Sequence, residues 1–108
     1  MSGYKAFDIA SYVVNSCIDR GTPISNLKLQ KVLYYVQAAF LIKNESLFID
    51  QISAWRYGPV VEDVYYYFRI NANRPIDEKV PNAYFSEIDD ESKKIIDNVV
   101  AAKIKYGA

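Results

Sequence analysis

The chain has 108 residues, 51% hydrophobic, with ten Tyr, five Phe and one Trp, enough apolar surface for one domain and too little length for two. Thirteen Lys and Arg against thirteen Asp and Glu give a formal charge of zero, so no global positive field gathers nucleic acid. No histidine and a single cysteine, Cys17, remove the usual general base, the common zinc ligands and any internal disulfide, so neither metal nor cofactor is expected and most enzyme classes fall away.

Over residues 6–20, Ala6, Ile9, Ala10, Val13, Val14, Cys17 and Ile18 share one arc at 100° per residue, with Asp8, Ser11, Asn15 and Asp19 opposite. This predicts an amphipathic surface helix in which Cys17 is a small buried hydrophobe, ended by a left-handed Gly21 and by Thr22-Pro23. Ser25 is a suitable N-cap for a second helix over about 26–43, with Ile24 and Leu29 as a hydrophobic staple.

On that second helix Leu29, Val32, Leu33, Val36, Ala39 and Phe40 form one stripe. Leu27, Tyr34 and Leu41 recur every seven residues as a second, which predicts a central helix packed on two sides. Gln30 and Gln37 fall between the stripes, where a buried amide must be hydrogen-bonded. They either pin a neighbouring irregular backbone segment or line an opening that admits a partner's backbone.

After Asn44, a C-cap, the β-branched and aromatic residues of 51–57 predict a short extended element. Gly58-Pro59 breaks it, with Pro59 suited to the first position of a third helix over 60–70 that buries Val60, Val61, Val64, Tyr65 and Phe68. Asn, Pro, Asp and Glu through 71–88 predict a long flexible loop with a short strand near 83–85. A last helix begins at Asp89 or Asp90, buries Ile95, Ile96, Val99, Val100 and Ile104, and ends near Lys103 and Lys105. The whole is mainly α, a compact bundle of four or more helices around the central one, in a single domain over 1–108. The nearly uncharged run 32–42 is well short of the ~20 residues of a membrane span, and the N-terminus lacks a signal peptide's apolar core, so a cytoplasmic protein is expected.

Exposed aromatics carry the functional signal. Tyr35 and Ile42 fall outside both stripes of the second helix, beside Lys28 and Lys31, either as a docking face or under the chain's own loop or terminus. Tyr66 and Ile70 miss the core arc of the third helix, and Arg56 and Tyr57 precede the Gly-Pro turn, forming a second candidate patch. Residues 1–44 carry +3 and residues 75–108 carry −2, a dipole that steers an acidic partner toward the N-terminal half. Asp89-Asp90-Glu91 is a negatively charged helix start rather than an acid/base pair.

Read together, Lys28-Leu29-Gln30-Lys31-Val32-Leu33-Tyr34-Tyr35-Val36-Gln37-Ala38 and Ala54-Trp55-Arg56-Tyr57-Gly58-Pro59-Val60-Val61, joined by Ser46-Leu47-Phe48, resemble the Panacea antitoxin-domain family, also called SocA-like. The resemblance covers residues 5–70. It implies a small, mostly helical, cytoplasmic bacterial or phage protein that neutralises a toxin by direct binding, with no catalytic residues. It also implies that the helix of Gln30 and Gln37 and the turn of Trp55, Gly58 and Pro59 form the shared core. Family members continue past the final helix into a segment with a threonine-histidine and a proline-tryptophan, which this sequence lacks.

The expected function is therefore a non-enzymatic interaction domain, similar to an antitoxin, that binds a toxin encoded by a neighbouring gene through Lys28, Lys31, Tyr35, Ile42, Arg56, Tyr57 and Tyr66. An adaptor presenting that partner to a protease is a variant of the same idea. A helix-turn-helix nucleic-acid binder is the rival, suggested by the short turn between the first two helices and opposed by the zero net charge. The oligomeric state is open.

Overall fold

The computed structural model describes residues 3–105, with side chains through Lys103; the expected burial of the Ile104 side chain and the charge of Lys105 lie outside what it describes. The N-terminal segment is tied down at once. Tyr4 makes an isolated parallel bridge with Phe48, and its carbonyl accepts from the Ile49 N–H at 3.0 Å. Helix α1 then runs over Ala6–Asp19, and its free amides are met by carboxylates: the Ala6 N–H donates to Asp50 Oδ1 at 2.7 Å and the Lys5 N–H to Asp8 Oδ2 at 3.0 Å.

The apolar arc of α1 is fully buried from Ala6 to Cys17, and burial pushes the Cys17 thiol above its ordinary value, as expected of an inert hydrophobe. The polar arc departs from expectation. Asp8 and Ser11 are buried, because α1 packs against three other helices rather than lying on the surface. Gly21 at φ +75° closes the helix in the left-handed region, with the Thr22 N–H donating to the Cys17 carbonyl at 2.9 Å.

Helix α2 spans Asn26–Leu41, and Ser25 caps it by accepting from the Lys28 N–H at 3.2 Å. Leu29, Val32, Leu33, Val36 and Phe40 are in the core, but the predicted second apolar stripe is not: Leu27 is 48%, Tyr34 43% and Leu41 55% exposed. Asn44, at φ +61°, ends the segment, and the Glu45 N–H donates back to the Phe40 carbonyl at 3.1 Å.

Strands β1 (Ser53–Trp55) and β2 (Gly58–Val60) form an antiparallel hairpin in which Ala54 faces Pro59 and Trp55 faces Gly58. Pro59 therefore belongs to a strand, not to the first turn of the next helix. The two-residue turn Arg56-Tyr57 keeps negative φ, and the left-handed position falls on Gly58 at φ +120°, which only glycine adopts without strain.

Helix α3 is Glu62–Phe68, extended by a 3-10 turn over Arg69–Asn71, so it starts two residues later than the sequence predicts. Its first turn carries Glu62 and Asp63 at the positive end of the helix.

Residues 71–88 are not a loose loop. Ile76, Val80 and Ile88 are buried in the core, and a 3-10 turn over Asn82–Tyr84 replaces the expected strand. Three backbone N–H groups tie the run to earlier parts of the chain: Ile76 to the Ile24 carbonyl at 2.8 Å, Val80 to Asn15 Oδ1 at 2.9 Å and Ser86 to Asp8 Oδ1 at 2.8 Å. Lys79 and Asp19 add a surface ion pair.

Helix α4, Asp90–Lys105, is capped by Asp89, which accepts from the Ser92 N–H at 3.0 Å. Helices α1, α3 and α4 and strand β2 all pack against α2, giving a mainly helical compact globule with one small sheet and a Cα radius of gyration of 12.7 Å.

Candidate functional site

Two buried glutamines of α2 decide where the irregular segments lie. Gln37, 7% exposed, donates to Ser46 Oγ at 3.1 Å and to the Phe48 carbonyl at 2.9 Å, and accepts from the N–H groups of Leu47 and Phe48 at 2.9 and 3.3 Å. It thereby seats Leu47 and Phe48, both fully buried, against the helix. Two turns earlier the same device is repeated with different partners. Gln30, 2% exposed, accepts from the Val61 N–H at 2.9 Å and donates to Asn26 Oδ1 at 3.1 Å, while Asn26 donates to the Tyr65 carbonyl at 3.0 Å. Val61 directly follows β2, so this amide fixes the hairpin to α2.

The hairpin is held from its other side by rings. Trp55 meets Tyr65 and Tyr66 edge-on, with centroids 5.1 and 6.1 Å away. Clamped between Gln30 and this aromatic cluster, the hairpin stands beside α2 and leaves a groove of about 900 Å³ between α2, the hairpin and the end of α4. Lys28, Lys31, Tyr34 and Tyr35 line it from α2, Trp55, Tyr57 and Pro59 from the hairpin, and Ala102 and Lys103 from α4. Tyr34 and Tyr35 lie edge to face at 5.4 Å, and the Lys103 ammonium sits 3.5 Å above the centre of the Tyr35 ring.

The electrostatics of the groove are one-sided. Among the described residues its lining holds three lysines and no carboxylate, and none of the three makes an ion pair there. A cleft lined by one sign of charge focuses its field outward. Chemically the groove offers ammonium groups, phenol hydroxyls and flat apolar faces, which suit binding of an anionic, partly apolar ligand. Among the described residues no group of three or more Cys, Asp or Glu side chains is placed to hold a metal ion.

Of the residues singled out in the sequence, the groove brings together Lys28, Lys31, Tyr35 and Tyr57 with Trp55, Gly58 and Pro59. Tyr66 adjoins it through Trp55, with the Arg69 guanidinium 5.5 Å from its ring, and Arg56 lies 5.8 Å from the ring of Tyr57. Ile42 is apart, at the C-terminal end of α2 and 84% exposed. The sequence reading missed Tyr34, placed in a buried stripe, and Lys103, placed only as a favourable charge at a helix end. The missing signal for Lys103 is long-range, since 68 residues separate it from the ring that it covers.

The profile described as "Antitoxin SocA-like, Panacea domain" matches residues 29–106. Among curated proteins, Antitoxin SocA of Caulobacter vibrioides (strain NA1000 / CB15N) is 39% identical to this chain over 72 residues, covering 62% of this chain and 38% of that protein. The chain thus spans well under half the length of that relative. No solved structure matches the chain. The profile takes in α4 and leaves α1 outside, a different extent from the 5–70 suggested by the motifs. No helix among the described residues is long and apolar enough to cross a membrane.

Proposed function

Because the chain belongs to the Antitoxin SocA-like Panacea family, we propose that it is a non-enzymatic antitoxin domain, carried in the cytoplasm of a bacterium or by its phage, that neutralises a neighbouring-gene toxin by direct contact through the α2–hairpin–α4 groove. The observation that carries this reading is the one-signed, ring-lined groove, where Lys28, Lys31, Tyr35 and Tyr57 converge although 29 residues of sequence separate the first from the last. Interfaces concentrate their free energy in aromatic and cationic anchors, and this groove holds several of each side by side. Tyr66 and Arg56 extend the contact at its hairpin rim, and Ile42 serves as a separate apolar contact.

The test is co-expression and pull-down with the products of the neighbouring genes, followed by a toxicity-rescue assay. Tyr35→Ala lowers affinity for the toxin by about tenfold or more, the loss typical of a ring at the centre of an interface, and weakens rescue. No complex with any neighbouring product, or full rescue by Tyr35→Ala together with Lys28→Glu, overturns the reading.

A further inference from the structure

Resting on the groove as the docking surface, we propose that what it takes from the partner is an extended, acidic segment in the polyproline II conformation, with Asp or Glu at every third position and proline or another apolar residue between. Charge gives the first part of the argument. Among the described residues three ammonium groups stand in the lining with no carboxylate in it, so a neutral or basic segment leaves them unpaired on docking, whereas carboxylates pair with them.

Length gives the second part. Lys28 marks one end of the α2 wall and Tyr35, covered by Lys103, marks the other. Seven residues of helix at ~1.5 Å each separate them by about 10 Å. Three residues of polyproline II at ~3.1 Å each span about 9 Å and return to the same face, so acidic groups three apart reach both ends at once.

The walls decide between modes of peptide recognition. Strand addition needs free backbone donors, but α2 keeps its amides within the helix and Pro59 has no N–H to give. What the walls do offer is rings, Tyr34, Tyr35, Trp55 and Tyr57, and aromatic-lined grooves take up pre-extended chains by their side chains. Single-stranded nucleic acid also stacks on rings, but it requires a basic track along its backbone. Among the described residues the lining holds three lysines and no arginine, in a chain of zero net charge.

The experiment uses fluorescence polarisation on the full chain with three labelled probes: a peptide of Glu-Pro-Pro repeats, its Lys-Pro-Pro counterpart and an oligothymidine. The acidic peptide binds the wild type best, and its affinity falls at least tenfold when ionic strength rises from about 0.05 to about 0.5 M, as screening requires. Lys28→Glu with Lys31→Glu costs at least another tenfold and transfers binding to the Lys-Pro-Pro peptide, an exchange that a merely damaged fold does not produce. Tyr57→Ala, a substitution on an exposed turn, weakens both pairings.

Equal binding of the two peptides, tighter binding of oligothymidine, or a groove closed by a second copy of the chain in solution each overturns the proposal. Toxin capture that depends on the groove, with no binding of the acidic peptide, sinks this proposal alone. Binding of the acidic peptide without capture of any neighbouring product supports it and sinks the antitoxin reading.

Discussion

Replacing Gln37 by Leu keeps the side chain's approximate bulk and removes its four hydrogen bonds to residues 46–48. Three are short and one, from the Phe48 N–H, is long at 3.3 Å. At about 1 kcal/mol net for each of the three short bonds, and little for the long one, the loss is about 3 kcal/mol. Against a total stability on the order of 5–15 kcal/mol this is a large fraction. For a chain near 100 residues it lowers Tm by roughly 12–24 °C. Trp55 is the single tryptophan, so urea and thermal unfolding followed by its fluorescence measure the change directly. Gln51→Leu, at an exposed position, is the control and stays within about 0.5 kcal/mol of wild type. If Gln37→Leu unfolds within about 2 °C of wild type, then residues 46–48 are held by the burial of Leu47 and Phe48 alone and the amide is dispensable.

Two further outcomes follow from contacts distant in sequence. Asn15→Ala removes a reciprocal pair of hydrogen bonds with Val80, at 2.9 and 3.0 Å, worth about 1–2 kcal/mol. Hydrogen exchange should therefore quicken at Val80 and its neighbours while the middle of α2 stays protected; equal protection throughout would show that buried Ile76, Val80 and Ile88 suffice. The Tyr4 hydroxyl, donating at 2.8 Å, holds the Asp89 carboxyl at about 2, below the ~3.9 of an unfolded Asp. That pairing stabilises the fold above about pH 4 and is lost as pH falls toward 2. Burial raises the Tyr4 phenol, so its contribution is present below its unfolded value of ~10 and is lost as pH rises through the folded one. Urea midpoints across pH should flatten on both flanks in Tyr4→Phe, and an unchanged acid slope would assign that flank to other carboxylates.

What the sequence showed and what it hid divide along the range of the interactions. The arc of α1, the Ser25 cap and the buried amides of α2 follow from residues within a few turns of one another, and periodicity or the cost of an unpaired amide finds them. The heptad spacing of Leu27, Tyr34 and Leu41 is equally periodic, yet nothing in the local pattern says that only one side of α2 is covered. Pro59 satisfies the first turn of a helix and the edge of a hairpin equally well; Gln30, 31 residues before Val61, helps to hold the strand in place. Polar composition through 71–88 concealed three core residues, because the groups that anchor this run, Ile24 for Ile76, Asn15 for Val80 and Asp8 for Ser86, lie far upstream. The groove is the sum of such distant pairings, so its members were found singly and its shape was not.

The place of α1 bears on how this domain can be cut and carried. Lying outside the stretch that the family profile recognises, it nonetheless holds Val80 through Asn15, Ser86 through Asp8 and, from the residue ahead of its cap, the start of α4 through Tyr4. It is the keel to which the C-terminal wall of the groove is moored. A fragment trimmed to begin at Leu29 would strip the core of Ile9, Val13 and Val14 and set that wall adrift, so the smallest portable unit is longer than the stretch that the family profile matches.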